Sequence, residues 1–366
     1  MPAPVRIRSR ASVLQVLRDP QRKSLPRIAW EAAAFWREKQ ERPHQYFQGL
    51  LYRKGIDDPQ VYLGRDDRGR LDRLIMRPEA SMKLRHKHLF DEHFSGALGV
   101  RLPRHLGYTE GGVFRAADET ERPLGTEDDL RQLVDRLLDD VSAHGGDSFF
   151  AKPTNSSRGR GIVKVTSPVL DTVTWRAIQG QDYVFQQTVA QHPALSAVAP
   201  DSLNTMRVVT VRRDREEPEV AAVMMRFGRR GGATDNASAG GLIAGVDLAT
   251  GRLARFCGTL FGSGGETFTH HPDTGHPLLG DGIPAFEIPK FEAGLEMARA
   301  AARHTEYPLV GWDVAIAPDG PVLIEGNFRP DYNTNETVSG AYATNPVFGP
   351  YIQELTGGRG LGPASR

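Results

Sequence analysis

Asp313, Glu325 and Asn327 break up "VGWDVAIAPDGPVLIEGNFRP" (310–330), a stretch otherwise fit for two core strands. The "PDG" at 318–320 reads as a three-residue hairpin loop, with Pro opening the turn and Gly closing it. That loop sets residue 317 opposite 321 and 313 opposite 325. Because side chains alternate along a strand, Asp313, Glu325 and Asn327 then share one face. Val314, Ile316, Val322 and Ile324 take the other, apolar face. A two-residue loop would put Asp313 and Glu325 on opposite faces. Carboxylates directly across a ladder repel unless a cation lies between them. Two carboxylates and an amide offer only oxygen, which favours Mg²⁺ or Mn²⁺ over Zn²⁺. Mg²⁺ usually completes its shell with phosphate oxygens, so the pattern implies a nucleotide.

A second constellation is "SFFAKPTNSSRGRGIVKV" (148–165). Lys152 ends an apolar strand, and a loop of small residues follows. Gly159 and Gly161 allow close backbone approach, successive N–H groups can cradle phosphate, and Lys152 adds a point charge. The Walker, protein-kinase and dinucleotide fingerprints are absent. Other residues have plainer readings. Lys87 fits the polar side of a helix, Arg207 and Arg213 share one face of an alternating strand, and Trp312 and Cys257 fit a core. "THHPDTGH" (269–276) has three His and an Asp but no Cys, and reads as a loop rather than a metal cluster.

The elements that must position these groups fall into two regimes. Up to about residue 95 the chain reads as helical, with "LPRIAWEAAAFWREKQ" and "SMKLRHKHLFDEHFSGAL" each taken as one helix. A capped helix follows at "TEDDLRQLVDRLLDDVSAHGG", where Thr126 caps and glycines end it. From residue 148 short β runs dominate, interrupted by helices near 289–305 and 345–356. Helices first and strands later predict an α+β fold: a helical region over 1–80, a small lobe over 81–180 and a large lobe over 181–366. Forty-six basic residues against 45 acidic leave no global case for nucleic-acid or membrane binding. A single cysteine excludes an intramolecular disulfide and suits a reducing, cytoplasmic setting. No apolar run is long enough to span a bilayer. The basic start, "MPAPVRIRSRASVLQVLRDPQRK", is read as a solvated terminal helix rather than an arm on anionic lipid.

The order of these features (a Lys, then Lys-Pro with a Gly-rich loop, then strands, then D-x11-E-x-N) resembles the ATP-grasp superfamily. More narrowly, "QQTVAQHPALSAVAPDSLNTMRVVTVRR", "DNASAGGLIAGVDLATGRL" and "IEGNFRP" resemble its sugar-transfer-associated branch, related to α-L-glutamate ligase-like proteins. The resemblance spans about residues 80–355. It implies an ATP-grasp fold with two α+β lobes clasping ATP. Lys87 and Lys152 would hold the nucleotide phosphates, and Ser156, Ser157, Gly159 and Gly161 would form the loop over them. Gln186, Gln187 and Val189 would be the adenine hinge, where the family commonly has Glu at the position of Gln186, and His192 lies near the ribose. Asp313, Glu325 and Asn327 would hold two Mg²⁺ ions. Arg207 and Arg329 would neutralise the transferring phosphoryl group and the substrate carboxylate. Asn236, Gly240 and Gly241 would line the acceptor side. The implied activity is ATP-dependent ligation of a small-molecule carboxylate to an amine through an acyl phosphate, in a carbohydrate or cell-surface polysaccharide pathway. The alternatives are a phosphotransferase acting on a hydroxyl or sugar, and a nucleotide-binding protein without turnover.

Overall fold

The computed structural model describes residues 9–156, 160–167, 172–214, 216–232, 234–358 and 360–361. Six helices come first: α1 (Ser9–Arg18), α2 (Leu25–Lys39), α3 (His44–Gln48), α4 (Arg65–Ile75), α5 (Pro78–Arg85) and α6 (Lys87–Phe94). The small lobe holds β1 (His105–Glu110), β2 (Val113–Ala116), β3 (Glu121–Pro123), α7 (Glu127–Ala143), β4 (Phe149–Pro153), β5 (Val163–Val165), α8 (Thr172–Gln179) and β6 (Tyr183–Gln187). The large lobe runs through α9 (Pro193–Val198), β7 (Thr205–Val211), β8 (Glu219–Phe227), β9 (Leu242–Val246), β10 (Leu253–Gly258), α10 (Phe291–Arg303), β11 (Leu309–Ala317), β12 (Gly320–Asn327), α11 (Tyr332–Ser339) and α12 (Phe348–Leu355). The architecture is α+β, as the order of elements predicted.

Two antiparallel sheets carry the lobes, ordered β3-β2-β1-β6-β4-β5 and β10-β9-β8-β7-β11-β12. Alternation decides which face of each is buried. In the small lobe Phe149, Ala151, Tyr183 and Phe185 face the apolar stripe of α7 (Leu130, Leu133, Val134, Leu137, Val141). That helix is fixed by the expected cap: Thr126 and Asp129 form a reciprocal capping box. The opposite face turns Lys152 and Gln186 towards α6. In the large lobe Met206, Val314 and Ile316 pack against α10 at Gly294, where a Cβ would lie 2.3 Å from Met206 Cε. Leu71, Ile75, Leu84, Phe90 and Phe94 share that core, so α4, α5 and α6 pack with the large lobe. A third cluster joins Val16, Ile28, Phe35, Tyr46 and Tyr52 to Phe261 and Ala341.

Two local expectations need correction. The β11–β12 loop has two residues, not three, because Ala317 pairs with Gly320 and Val314 with Leu323. A β-bulge between the Val314 and Asp313 pairs then shifts the register by one, so that Asp313 pairs with Glu325 and Gly311 with Asn327. The carboxylates therefore do share a face, through the bulge rather than the turn. Leu323, not Val322 or Ile324, joins Val314 and Ile316 on the core side. The single helix expected over 81–98 is two helices, broken at His86. The Lys87 N–H bonds the Thr154 carbonyl (3.1 Å) across the cleft, and the His86 ring caps α6 by accepting from the Leu89 N–H (3.4 Å). The break sets Lys87 at the head of α6, beside the Gly-rich loop. Helices α8, α9 and α11 were not read from the sequence.

Candidate active site

The large-lobe sheet builds its half of the site from one alternating face. Asp313 pairs across the ladders with Glu325 on β12 and with Arg207 on β7. Arg207 grips Asp313 with two nitrogens, Nε to Oδ1 and Nη2 to Oδ2 (3.0 Å). Gly311 makes room for this grip, since a Cβ there would meet Arg207 Cδ at 2.8 Å. Arg226 of β8 adds a second ion pair to Asp313 Oδ2 (2.8 Å) and reaches Asp235 (3.3 Å). Asp235 is in turn held by the Thr205 N–H (2.9 Å) and hydroxyl (2.5 Å). Asp313 is 3% exposed, yet although burial opposes its ionisation, Arg207 and Arg226 win and hold it well below the usual carboxylate range. Glu325 stands the other way. Burial and the neighbouring Asp313 push it up, and its Oε1 accepts a hydrogen bond from Asn327 Nδ2 (3.1 Å).

The opposing half carries cations. Lys87 Nζ donates to the Ser156 carbonyl (2.8 Å) and hydroxyl (3.3 Å). Lys152 Nζ donates to Gln186 Oε1 (2.6 Å), and Gln186 Nε2 donates to both oxygens of Asp91 (2.8 and 2.7 Å). Asp91 also meets His105 (3.0 Å). Burial lowers the pKa of both lysines, and Glu325 opposes that shift in each. The two lysines and Glu325 therefore feel one another across the cleft.

The remaining expected residues are placed as follows. Ser157 and Gly159 lie outside the described residues. Ser156 receives Lys87, and Gly161 takes a left-handed φ of +73° with its carbonyl accepting from the Tyr183 hydroxyl (3.3 Å). Gln186 is buried, with its carboxamide engaged, whereas Gln187 and Val189 are half-buried. His192 caps α9 by accepting from the Ala194 N–H (3.2 Å). Asn236 accepts from the Ser238 N–H (3.1 Å), and Gly240 follows at φ +95°. Gly241 sits where a Cβ would be 2.6 Å from the Asp235 carbonyl oxygen. Arg329 turns to Asp72 of α4 (3.0 Å), with its side chain 59% exposed. In "THHPDTGH", His271 bonds the Gly228 carbonyl oxygen (2.9 Å) and Asp273 takes Arg229 (2.7 Å). Trp312 and Cys257 are core residues.

Asp91, Arg226 and Asp235 were missed. Arg226 had a signal: it is the one charge inside the apolar run "VAAVMMRF", the same kind of interruption that singled out Asp313. Asp91 sits between Phe90 and Phe94 on α6, where a polar side chain needs a buried partner.

The residues fit a hard divalent cation. Asp313, Glu325 and Asn327 present side-chain oxygens on one face; Arg207 and Arg226 already bind both oxygens of Asp313, and among the described residues Glu325 is the carboxylate with no side-chain cation bonded to it. Among the described residues no group of three or more His, Cys, Asp or Glu is placed to hold a metal. The fit therefore rests on the mixed carboxylate–amide set.

Residues 167–346 match the family model of sugar-transfer associated ATP-grasp. The matched stretch is just under half of the chain. It contains Gln186, Arg207, Arg226, Asp235, Asp313, Glu325 and Asn327, whereas Lys87 and Lys152 precede it. No curated protein matches the chain. Among known structures the chain is similar to the ATP-grasp ligase PsnB complexed with minimal precursor (16% identity, 77% of this chain and 62% of that one, TM-score 0.39). It is also similar to D-alanyl-alanine synthetase A from Vibrio cholerae O1 biovar eltor (14%, 76% and 66%, TM-score 0.43). A third is phosphoribosylamine–glycine ligase from Thermotoga maritima (12%, 77% and 56%, TM-score 0.41). The chain spans less than two thirds of the length of each.

Proposed function

We propose that this ATP-grasp protein is an ATP-dependent carboxylate–amine ligase that works through an acyl phosphate. The observation that carries the reading is the charge pattern across the cleft. Two half-buried lysines with only neutral acceptors face Glu325, a half-buried carboxylate with no side-chain cation bonded to it among the described residues. ATP phosphates answer the first need and a divalent cation the second.

Lys87 and Lys152 hold the phosphates as point charges, and the loop containing Ser156, Ser157, Gly159 and Gly161 covers them. Gln187 and Val189 border the base. Asp313, Glu325 and Asn327 would hold Mg²⁺, which when bound would draw charge from the phosphoryl oxygens. Arg207, fixed by its two bonds to Asp313, faces the transferring group. Arg329, largely exposed beyond the hairpin, is assigned to the substrate carboxylate. A carboxylate oxygen attacks the γ-phosphorus and ADP leaves. The amine nitrogen then attacks the acyl carbon, losing a proton, and phosphate departs with the carboxylate oxygen. Asn236, Gly240 and Gly241 border the amine side. The protein's main tasks are to align the reactants and keep water from the acyl phosphate.

The test is an ADP-release screen against amino acids and uronic-acid sugars, followed by ¹⁸O-labelled carboxylate with the active pair. The ligase transfers one ¹⁸O into inorganic phosphate. A phosphorylated acceptor without free phosphate identifies a phosphotransferase instead, and nucleotide binding without ADP release identifies a binder.

A further inference from the structure

Helices α1 and α2 are apolar on two sides, and only one side of each is used by the fold. Their inner sides put Val16, Ile28 and Phe35 into the cluster with Tyr46 and Phe261. On the outer side of α1, Val13, Leu14 and Leu17 are 59%, 50% and 43% exposed. They fall on one helical face by their spacing. On α2 the arc opposite the buried stripe carries Leu25, Pro26, Ala29, Trp30, Ala33 and Trp36, all exposed. Its one charge is Arg37. Trp30 and Trp36 are 66% and 61% exposed, a state that indole rarely occupies unpartnered.

The charges around these faces are one-sided. The acids of residues 9–39 are Asp19, Glu31 and Glu38. Asp19 is spent on Arg53 (2.7 Å) and the Tyr52 hydroxyl (3.0 Å). Glu31 is buried between Lys23 (2.6 Å), Arg27 (2.8 Å) and the Tyr46 hydroxyl (2.8 Å). Exposed Arg18 and Arg37 are left with Glu38 on the flank.

We infer that this surface docks on an anionic lipid bilayer, lying in the interface with its tryptophans at headgroup depth. Aliphatic side chains, exposed indoles and exposed arginines that outnumber the one exposed acid together form the signature of an interfacial helix pair. A second copy of the chain suits the surface less well, because two-fold pairing brings two faces carrying exposed arginines together. No described helix is long and apolar enough to cross a membrane, so the contact is peripheral. The terminal helix is therefore read as a membrane-facing element, not the solvated one that the sequence suggested.

The test uses the full chain with phosphatidylcholine vesicles, with and without phosphatidylglycerol. The chain is expected to sediment with the anionic vesicles, releasing with salt, and its tryptophan emission to shift to the blue. Trp30→Ala with Trp36→Ala should abolish the shift and weaken partitioning about ten-fold or more. Arg18→Glu with Arg37→Glu should weaken binding to anionic vesicles only. Leu14→Glu on α1 provides an independent variant, and unchanged thermal unfolding in each confirms that the fold is kept. Absence of anionic-vesicle binding at low salt, or equal binding by all variants, overturns the inference. So does a concentration-dependent dimer that shields both tryptophans and ignores vesicles.

Discussion

Lys87 and Lys152 at the Gly-rich loop and Asp313 and Glu325 on the large-lobe hairpin are all drawn away from water, but their charges are answered differently. Asp313 is answered within the protein: Arg207 and Arg226 occupy both its oxygens, and Asp235 steadies Arg226. Glu325, its partner across the ladder, is pushed up by burial and by Asp313, with partial relief from the more distant Arg207 and the bond from Asn327. Lys87 and Lys152 donate to neutral oxygens of Ser156 and Gln186, with Asp91 one bond further away. The large lobe is thus a prebuilt ionic frame with one unanswered negative position, and the cleft facing it holds two under-answered positive ones. A buried charge without a counter-charge is costly to fold around. Retaining both kinds a short distance apart makes sense if the missing charges arrive together, as a metal and a polyphosphate.

The sharpest way to break this comparison is to neutralise each carboxylate separately. Glu325→Gln should lower ATP turnover by roughly 10²–10³-fold or more. Its unfolding temperature should hold or rise, because a carboxylate raised by burial gains nothing from its charge. Asp313→Asn should lose comparable activity and also about 3–5 kcal/mol of stability, since two arginines are left uncompensated. ADP release and denaturant unfolding measure both. Equal stability losses in the two variants would erase the distinction.

Glu336 sharpens the same contrast, as a buried carboxylate bonded by backbone N–H groups. It accepts from Leu63 (3.1 Å) and Tyr342 (2.9 Å), tying the N-terminal region to the large lobe. Burial pushes it up to about 7, partly offset by those bonds. The sign follows: its contribution is full below the ordinary carboxyl range and is lost as pH rises to about 7. That loss is at most about 3 kcal/mol. Glu336→Gln should flatten the fall in unfolding temperature between acid and neutral pH. A wild-type stability that rises across that window would contradict the assignment.

The smallest effect is expected at Arg329. Its exposed pair with Asp72 contributes less than about 1 kcal/mol to stability. Arg329→Ala should leave nucleotide affinity unchanged and raise KM for the carboxylate substrate. A weakened nucleotide with an unchanged carboxylate KM would move Arg329 to the phosphate side.

Much of this site was legible because a charge in an apolar β run is expensive and therefore conspicuous. Asp313 and Glu325 stood out on that ground, and Arg226 would have if the same rule had been applied to β8. Two features were not legible. Turn chemistry specified where the hairpin reverses but not that a bulge would restore the 313–325 pairing, which depends on packing along β11. The break at His86 depends on a bond from the Lys87 N–H to Thr154, 67 residues away in sequence. The β runs after residue 148, helix α7 and the α+β order came from local periodicity. Asp91's role did not, because its partners Gln186 and His105 lie on different strands.

The most direct test titrates a non-hydrolysable ATP analogue calorimetrically into wild type, Lys152→Met and Glu325→Gln, each with and without Mg²⁺. Lys152→Met should lose about 1–3 kcal/mol of affinity in both conditions, the scale of a charge-assisted hydrogen bond. Glu325→Gln should bind the metal-free analogue as wild type does and lose the increment that Mg²⁺ adds. If Glu325→Gln keeps the full Mg²⁺ increment while Lys152→Met binds like wild type, the cleft does not hold the unanswered charges assigned to it.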